Sequence, residues 1–332
     1  MAGGKPMNEI EIGRHLGSEV AYTDQQAKDR AQLRLEQHIH ASGGLPRRLA
    51  EPARERHYGR WLATAAALVA AAVTLQVLLP RGAGGPTSAR AALRRLAALA
   101  SAAPGIEVGP GQFVYTDRRE LQRDTRADLA TGLSWTFEVP IEREEWVASD
   151  GSGRVLARFG DPVFVSQADE AAWRQSGSPP LLQSRMSDQS FEPGGLPFYD
   201  VASLPTDPGD LAALIEARKI IRRPAGDAET LDIIGILLAE TYSSPDIRAA
   251  LFRVGSSLPG IELLGETIDP LGRSGIAVGI TEDGIRTELI FDEATSALLA
   301  QERVEAGGGP ADILGWRAYM EPKVVGSVDQ HR

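Results

Sequence analysis

The chain of 332 residues contains no cysteine, a single asparagine (Asn8) and four lysines beside thirty-one arginines. Without cysteine it forms no disulfide, offers no thiolate to a metal, has no thiol nucleophile and takes no lipid through an N-terminal Cys. Asn8 is followed by Glu9 and Ile10, so no N-glycosylation acceptor exists. A basic face is missing as well. Residues 1–60 carry ten Lys+Arg against eight Asp+Glu, and the remainder carries 25 against 37 within an overall formal charge of -10. Such an acidic body cannot displace counterions from phosphates, which argues against nucleic acid as a partner. What is present is an ordinary globular mixture, 42% apolar and 24% charged. The length suits one large or two ordinary domains at about 100–200 residues each.

One segment dominates the organisation. Residues 61–79 read WLATAAALVAAAVTLQVLL, nineteen residues without a charge, and Pro80 follows. At about 1.5 Å per residue this run just covers a hydrocarbon layer of ~30 Å. A soluble core helix would keep a polar face, which Thr64, Thr74 and Gln76 are too few to form. A secretory signal would not follow sixty residues of preceding chain. Arg47, Arg48, Arg54, Arg56 and Arg60 flank the run on its N-terminal side, and Arg81, Arg90 and Arg94 on the other. This bias predicts a single transmembrane helix with the N-terminus in the cytoplasm and residues 87–332 outside, joined by a flexible linker at 80–86.

The cytoplasmic tail, residues 1–60, holds one structured candidate. Thr23 with Gln26 forms a capping-box pattern, and Ala27, Ala31, Leu35 and Ile39 then recur every four residues. That stripe predicts a short amphipathic helix and marks these four residues as candidate partner-binding positions. His15, His38 and His40 have no Cys or suitably spaced carboxylate near them and read as solvent-facing residues.

Beyond the linker, Thr87 or Ser88 is placed to cap a helix with an apolar face from Ala91, Leu93, Leu96, Ala97 and Leu99. Leu133, Trp135, Phe137, Val139 and Ile141 alternate with polar residues, the period of a half-buried strand. The run Glu145-Trp146-Val147-Ala148 and the turn 149–153 complete a hairpin with two tryptophans for the core. Residues 160–207 show no sustained period and predict an irregular connection with one helical turn at 168–173. Helices are expected at 209–221, 228–242 and 246–257, and strands at 261–268, 275–280, 285–291, 297–304 and 316–325. The outer region is thus expected to be an α+β domain, an antiparallel β-sheet with helices packed on one face. Trp135, Phe137, Leu289 and Phe291 are expected to share its core.

An inventory of chemistry comes out nearly empty. Four of five histidines precede the apolar run and His331 stands at the end of the sequence, so no His base is placed for a serine nucleophile. No G-x-S-x-G, H-E-x-x-H or P-loop pattern occurs. Glu138, Glu142, Glu144 and Glu145 could hold a glycosidase pair, but adjacent acids on a strand usually form a solvated surface. No catalytic residue, metal site or cofactor is assigned.

Glu145-Trp-Val-Ala-Ser-Asp-Gly-Ser-Gly-Arg154, Ser244-Pro-Asp-Ile-Arg-Ala-Ala-Leu-Phe-Arg253 with Leu258-Pro-Gly-Ile261, Gly272-Arg-Ser-Gly-Ile-Ala-Val278 and Glu288-Leu-Ile-Phe-Asp-Glu-Ala-Thr-Ser-Ala-Leu-Leu299 together carry a resemblance. The chain resembles an uncharacterised family of single-pass membrane proteins of high-GC bacteria, often encoded beside extracytoplasmic-function sigma factors. The arginine preference fits such a genome. Lacking Cys, the tail departs from zinc-type anti-sigma proteins. The outer domain is also similar to the half-barrels of lipoprotein carriers and periplasmic stress sensors, which concerns fold more than function. The empty inventory, the apolar run and the tail stripe give a non-enzymatic, membrane-anchored envelope protein, to which the resemblance adds a sensory or regulatory role, acting through its tail on a cytoplasmic regulatory protein such as a sigma factor. The alternative is an extracytoplasmic binding protein for a lipid or other hydrophobic ligand.

Overall fold

The computed structural model describes residues 87–194, 204–219, 226–240, 244–306 and 313–331. Among them no helix is long and apolar enough to cross a membrane. The apolar run at 61–79 expected to span a membrane, the expected tail helix with Ala27, Ala31, Leu35 and Ile39, and the expected linker at 80–86 all lie outside the described residues.

In chain order the elements are α1 (Ala89–Ala102), β1 (Phe113–Ala127), β2 (Ser134–Ala148), β3 (Gly153–Phe159), β4 (Val163–Phe164), α2 (Gln167–Gln175) and β5 (Met186–Phe191). There follow α3 (Pro208–Arg218), α4 (Gly226–Glu240), α5 (Pro245–Ser257), β6 (Glu262–Ile268), β7 (Ser274–Glu282), β8 (Ile285–Phe291), β9 (Leu298–Glu305), β10 (Ile313–Tyr319) and β11 (Lys323–Val325). The α+β reading holds. The strands form one antiparallel sheet in the order β5-β3-β2-β1-β10-β9-β8-β7-β6, with β4 beside β2 and β11 beside β1.

Local chemistry starts each helix. Ser88 Oγ accepts from the Ala91 amide at 3.2 Å to open α1, and Asp207 accepts from Gly209 and Asp210 to open α3. The α4 terminus is capped from the sheet, because both oxygens of Glu282 on β7 accept from the Asp227 and Ala228 amides at 3.1 Å. Pro245 stands in the first turn of α5, where its missing N–H costs nothing.

Cross-strand register assigns the faces. Trp135 opposite Arg126, Glu120 opposite both Ile141 and Arg317, Gln301 opposite Leu289, and Leu289 opposite Val278 all lie on one face. That face carries the helices. Leu93, Leu96, Leu211, Leu231, Ile234, Leu237 and Leu251 bury there against Val278, Leu289 and Phe291. At the other end α2 brings Trp173 onto Trp135, Phe137, Val139 and Ile141.

The shared core expected for Trp135, Phe137, Leu289 and Phe291 is therefore corrected to two cores on one face. All four are buried, but β1, β10 and β9 stand between β2 and β8. The cause is topological: β10 returns to pair with β1, inserting the last long strand between the first hairpin and the later meander. The hairpin itself also differs from expectation. Residues 134–148 form one unbroken strand, and the separation of eleven residues puts Trp135 and Trp146 on opposite faces. Three further strands were not expected, β1, β4 and β5. The predicted strand at 316–325 is divided into β10 and β11.

A glycine sets the distance between the α4 layer and the sheet. A Cβ at Gly235 would lie 2.7 Å from Leu289 Cδ2 and 2.9 Å from Gln301 Oε1. Gly235→Ala gains about 1 kcal/mol in helix propensity. Overpacking against β8 and β9 costs ~1–3 kcal/mol. On these figures the variant is expected to lose up to about 2 kcal/mol, measured as a lower denaturation midpoint; an increase would mean that α4 stands clear of the sheet.

Candidate functional site

The open face, opposite the helices, carries a connected polar cluster beside a cleft. Register sets Tyr115 across from Trp146, and Asp117 across from Glu144. The hairpin between β2 and β3 is tight here because Asp150 Oδ1 accepts from the Ser152 amide at 2.9 Å, and because Gly153 lets the backbones close. A Cβ at Gly153 would lie 1.9 Å from the Trp146 carbonyl oxygen. Trp146 is fully buried, its ring 5.3 Å from that of Tyr115.

Glu144 is the hub. Tyr115 Oη donates to its Oε1 at 2.9 Å, Arg158 from β3 pairs with its Oε2, and His331 Nδ1 lies 2.6 Å from Oε1. Burial pushes the Glu144 carboxyl up, but the hydrogen bonds from Arg158, Tyr115 and His331 outweigh it and hold the group below the usual carboxylate range. With Glu144 ionised, the imidazole is the donor to it. Tyr115 is pushed above the ordinary phenol value by burial and by its bond to Glu144. Asp117 is also raised, by burial, with Arg119 opposing. One of its oxygens is buried without a hydrogen-bond partner. Beside these groups opens a cleft of about 450 Å³, lined by Tyr115, Asp117, Glu144, Met320, Glu321, Lys323 and His331.

The helix-covered face holds a second cluster between its two apolar cores. Arg118 donates to Glu120 at 2.7 Å and pairs with Glu145 at 3.1 Å. Arg143 donates to Glu120 at 3.2 Å, and Arg317 approaches it at 3.7 Å. Burial would raise Glu120, yet the three arginines hold it below the usual range. This belt is ion-paired structure, holding the middle of the sheet where neither core reaches.

The four acids singled out as a possible glycosidase pair are separated by the pleat. Glu138, Glu142 and Glu144 face the open side, while Glu145 faces the helices. Each has an arginine: Arg123 at 2.7 Å for Glu138, Arg119 for Glu142, Arg158 for Glu144 and Arg118 for Glu145. Sequence reasoning missed Tyr115 and Asp117, because it did not recognise β1, and set His331 aside as a terminal residue. The structure brings that histidine onto Glu144. The missed signal was aromatic spacing in Phe113-Val114-Tyr115 just after Pro110-Gly111. Between α1 and β7 the cavity lined by Ala92, Leu96 and Ile276 measures about 10 Å³, room for one water. Among the described residues no three His, Asp or Glu side chains are grouped to hold a metal ion.

No known family's model matches this chain, and no curated protein matches it. The reading of the site therefore rests on its geometry.

Proposed function

We propose that this is a non-enzymatic, membrane-anchored protein whose outer α+β domain recognises a partner through the open-face cleft. In this reading residues 61–79 span the membrane once, and the tail carries the response to a cytoplasmic regulatory protein through Ala27, Ala31, Leu35 and Ile39. The observation that carries it is Glu144, a cleft carboxylate kept ionised by an arginine, a tyrosine and a histidine. Such a group holds charge in place and is poorly suited to giving up a proton, which favours recognition over general acid chemistry. Its neighbours fit the same role, since each other acid of β2 is ion-paired to a neighbouring arginine.

The anchor is tested by fractionation of the full chain. Leu68→Asp with Val69→Asp is expected to release the protein from membranes, since each charge at a helix centre costs ~2.5–3.5 kcal/mol on insertion scales. A reporter fused after Arg332 is expected to be active only outside the cytoplasm; cytoplasmic activity would reverse the topology. For the tail, Leu35→Glu places a charge on the apolar stripe and is expected to abolish capture of the cytoplasmic partner by the intact protein. Undiminished capture would remove the tail from the mechanism.

A further inference from the structure

After β11 the chain turns back over the open face. Gln330 N donates to the Ser327 carbonyl at 3.2 Å, and Gly326 N donates to Gln330 Oε1 at 2.9 Å, so residues 326–330 form a compact bend. From that bend the segment meets the sheet much as a bound peptide would. Val328 packs on the cluster of Tyr115, Trp146, Leu156 and Val325. Trp146 Nε1 donates to the Gln330 carbonyl at 2.9 Å. Arg154 Nη1 donates to Asp329 Oδ1 at 2.8 Å and to the Val328 carbonyl at 3.4 Å. His331 reaches Glu144 and sets its ring edge-on to Trp146, with centroids 5.3 Å apart.

Two features separate this from ordinary packing of a chain end. The receiving groups are positioned by partners of their own: Trp146 by Tyr115, Arg154 by a two-pronged bond to Asp188 at 2.8 Å, Glu144 by Arg158. The segment is poorly buried by contrast, with the Asp329 side chain 82% exposed and that of His331 50% exposed. Exposed ion pairs hold little, so a groove organised by the sheet is covered by a strap held mainly at its rim.

We propose that this groove on β2 and β3 is a peptide-binding site and that residues 326–331 are its built-in occupant. The ligand class follows from what the strap offers: an apolar residue, an acid directly after it, and a basic or imidazole residue two positions further on, with backbone carbonyls free to accept from an indole and a guanidinium. An incoming segment of this pattern displaces the strap and uncovers Trp146. The inference deepens the reading of the open face as a recognition surface and names what it recognises.

The test uses the full chain in detergent and a fluorescein-labelled peptide of sequence 323–331, followed by anisotropy. The native chain is expected to bind it at least tenfold more weakly than a Val328→Glu/Asp329→Lys variant, because the tethered strap competes at an effective concentration of about 1 mM. Adding Arg154→Glu to that variant is expected to abolish binding, and a peptide carrying Lys in place of its Asp to restore it. Absence of binding to a strap variant that keeps the native thermal midpoint would overturn the proposal, as would equal binding to both chains. Should the variant fail to fold, hydrogen exchange on the native chain decides: excess peptide at about 1 mM, the strap's own effective concentration, is expected to speed exchange at 326–331, and unchanged exchange overturns the proposal. Failure of the anchor or tail experiments alters none of these readouts, so the two readings fail separately.

Discussion

Replacing Phe291 by alanine is expected to lower the stability of the α+β domain by ~3–5 kcal/mol. The ring is fully buried and stands edge-on to Phe252 of α5, centroids 5.2 Å apart at 66°. It closes β8 beneath the helix layer, among Val278, Leu289 and Leu251. Truncation therefore removes both the transfer free energy of the ring and the contact that seats α5 on the sheet. At about 2–4 °C per kcal/mol for a domain of this size, the thermal midpoint falls by roughly 10 °C. Phe291→Leu keeps most of the volume and is expected to cost less than ~1.5 kcal/mol. Denaturation of the two variants checks this; a loss below about 1 kcal/mol for the alanine would be smaller than any full aromatic truncation in a close-packed core and would place α5 away from β8.

Raising the pH from 5 to 9 is expected to destabilise the domain, through two carboxyls. Glu240, at the end of α4, is pushed up to about 8 by burial and by Glu145 on β2, with Arg118 on β1 opposing. Glu302 on β9 is pushed up to about 8 by burial and by Glu288 and Asp269, with Arg286 opposing. Each keeps its proton in the folded protein at a pH where the unfolded chain, with the ordinary value of 4.5, has lost it. Their contribution is full below that ordinary value and drains away as pH climbs toward 8. Glu120 and Glu144 act in the opposite sense, since their depressed values contribute stability that is lost only as pH falls below the carboxylate range. The midpoint is thus expected to peak near the ordinary carboxylate value, at about pH 4.5–5. Glu240→Gln and Glu302→Gln are each expected to flatten the alkaline side and gain roughly 2 kcal/mol at pH 9, about 4–8 °C. A midpoint that is level from pH 5 to 9, or unaffected by both substitutions, would show the two groups to be ionised throughout.

Much of the later half was legible from the sequence. Asp269-Pro-Leu-Gly272, Thr281-Glu-Asp-Gly284 and Asp292 to Ser296 carry turn chemistry at short intervals, and they separate β6 to β9 from one another. The starts of α3 and α5 were equally plain, because Pro208, read with Thr206, and Ser244 with Pro245 mark the first turn, although the residue that caps α3 is Asp207. Strand β1 was not. Seven of its fifteen residues are charged, a composition that reads as solvated loop. It nevertheless lies inside the sheet between β2 and β10, since Arg118, Arg119 and Arg123 find acids on β1 and β2 that are visible only once the strands are paired.

The candidate site divides in the same way. Trp146, Gly153 and Arg154 stood out as a hairpin motif, since spacing along one strand and turn is a local property. Tyr115, Glu144 and His331 could not be joined by any local rule: they lie 29 and 187 residues apart in sequence. Periodicity, caps and turn residues act over a few residues, and by themselves they determined that this chain forms antiparallel strands with amphipathic helices. Which strands became neighbours, which tryptophan faced the helices, and which acids met arginines were decided only by the tertiary structure. The insertion of β10 beside β1 is worth its loop only when the whole sheet closes around it, and no window of sequence contains that balance.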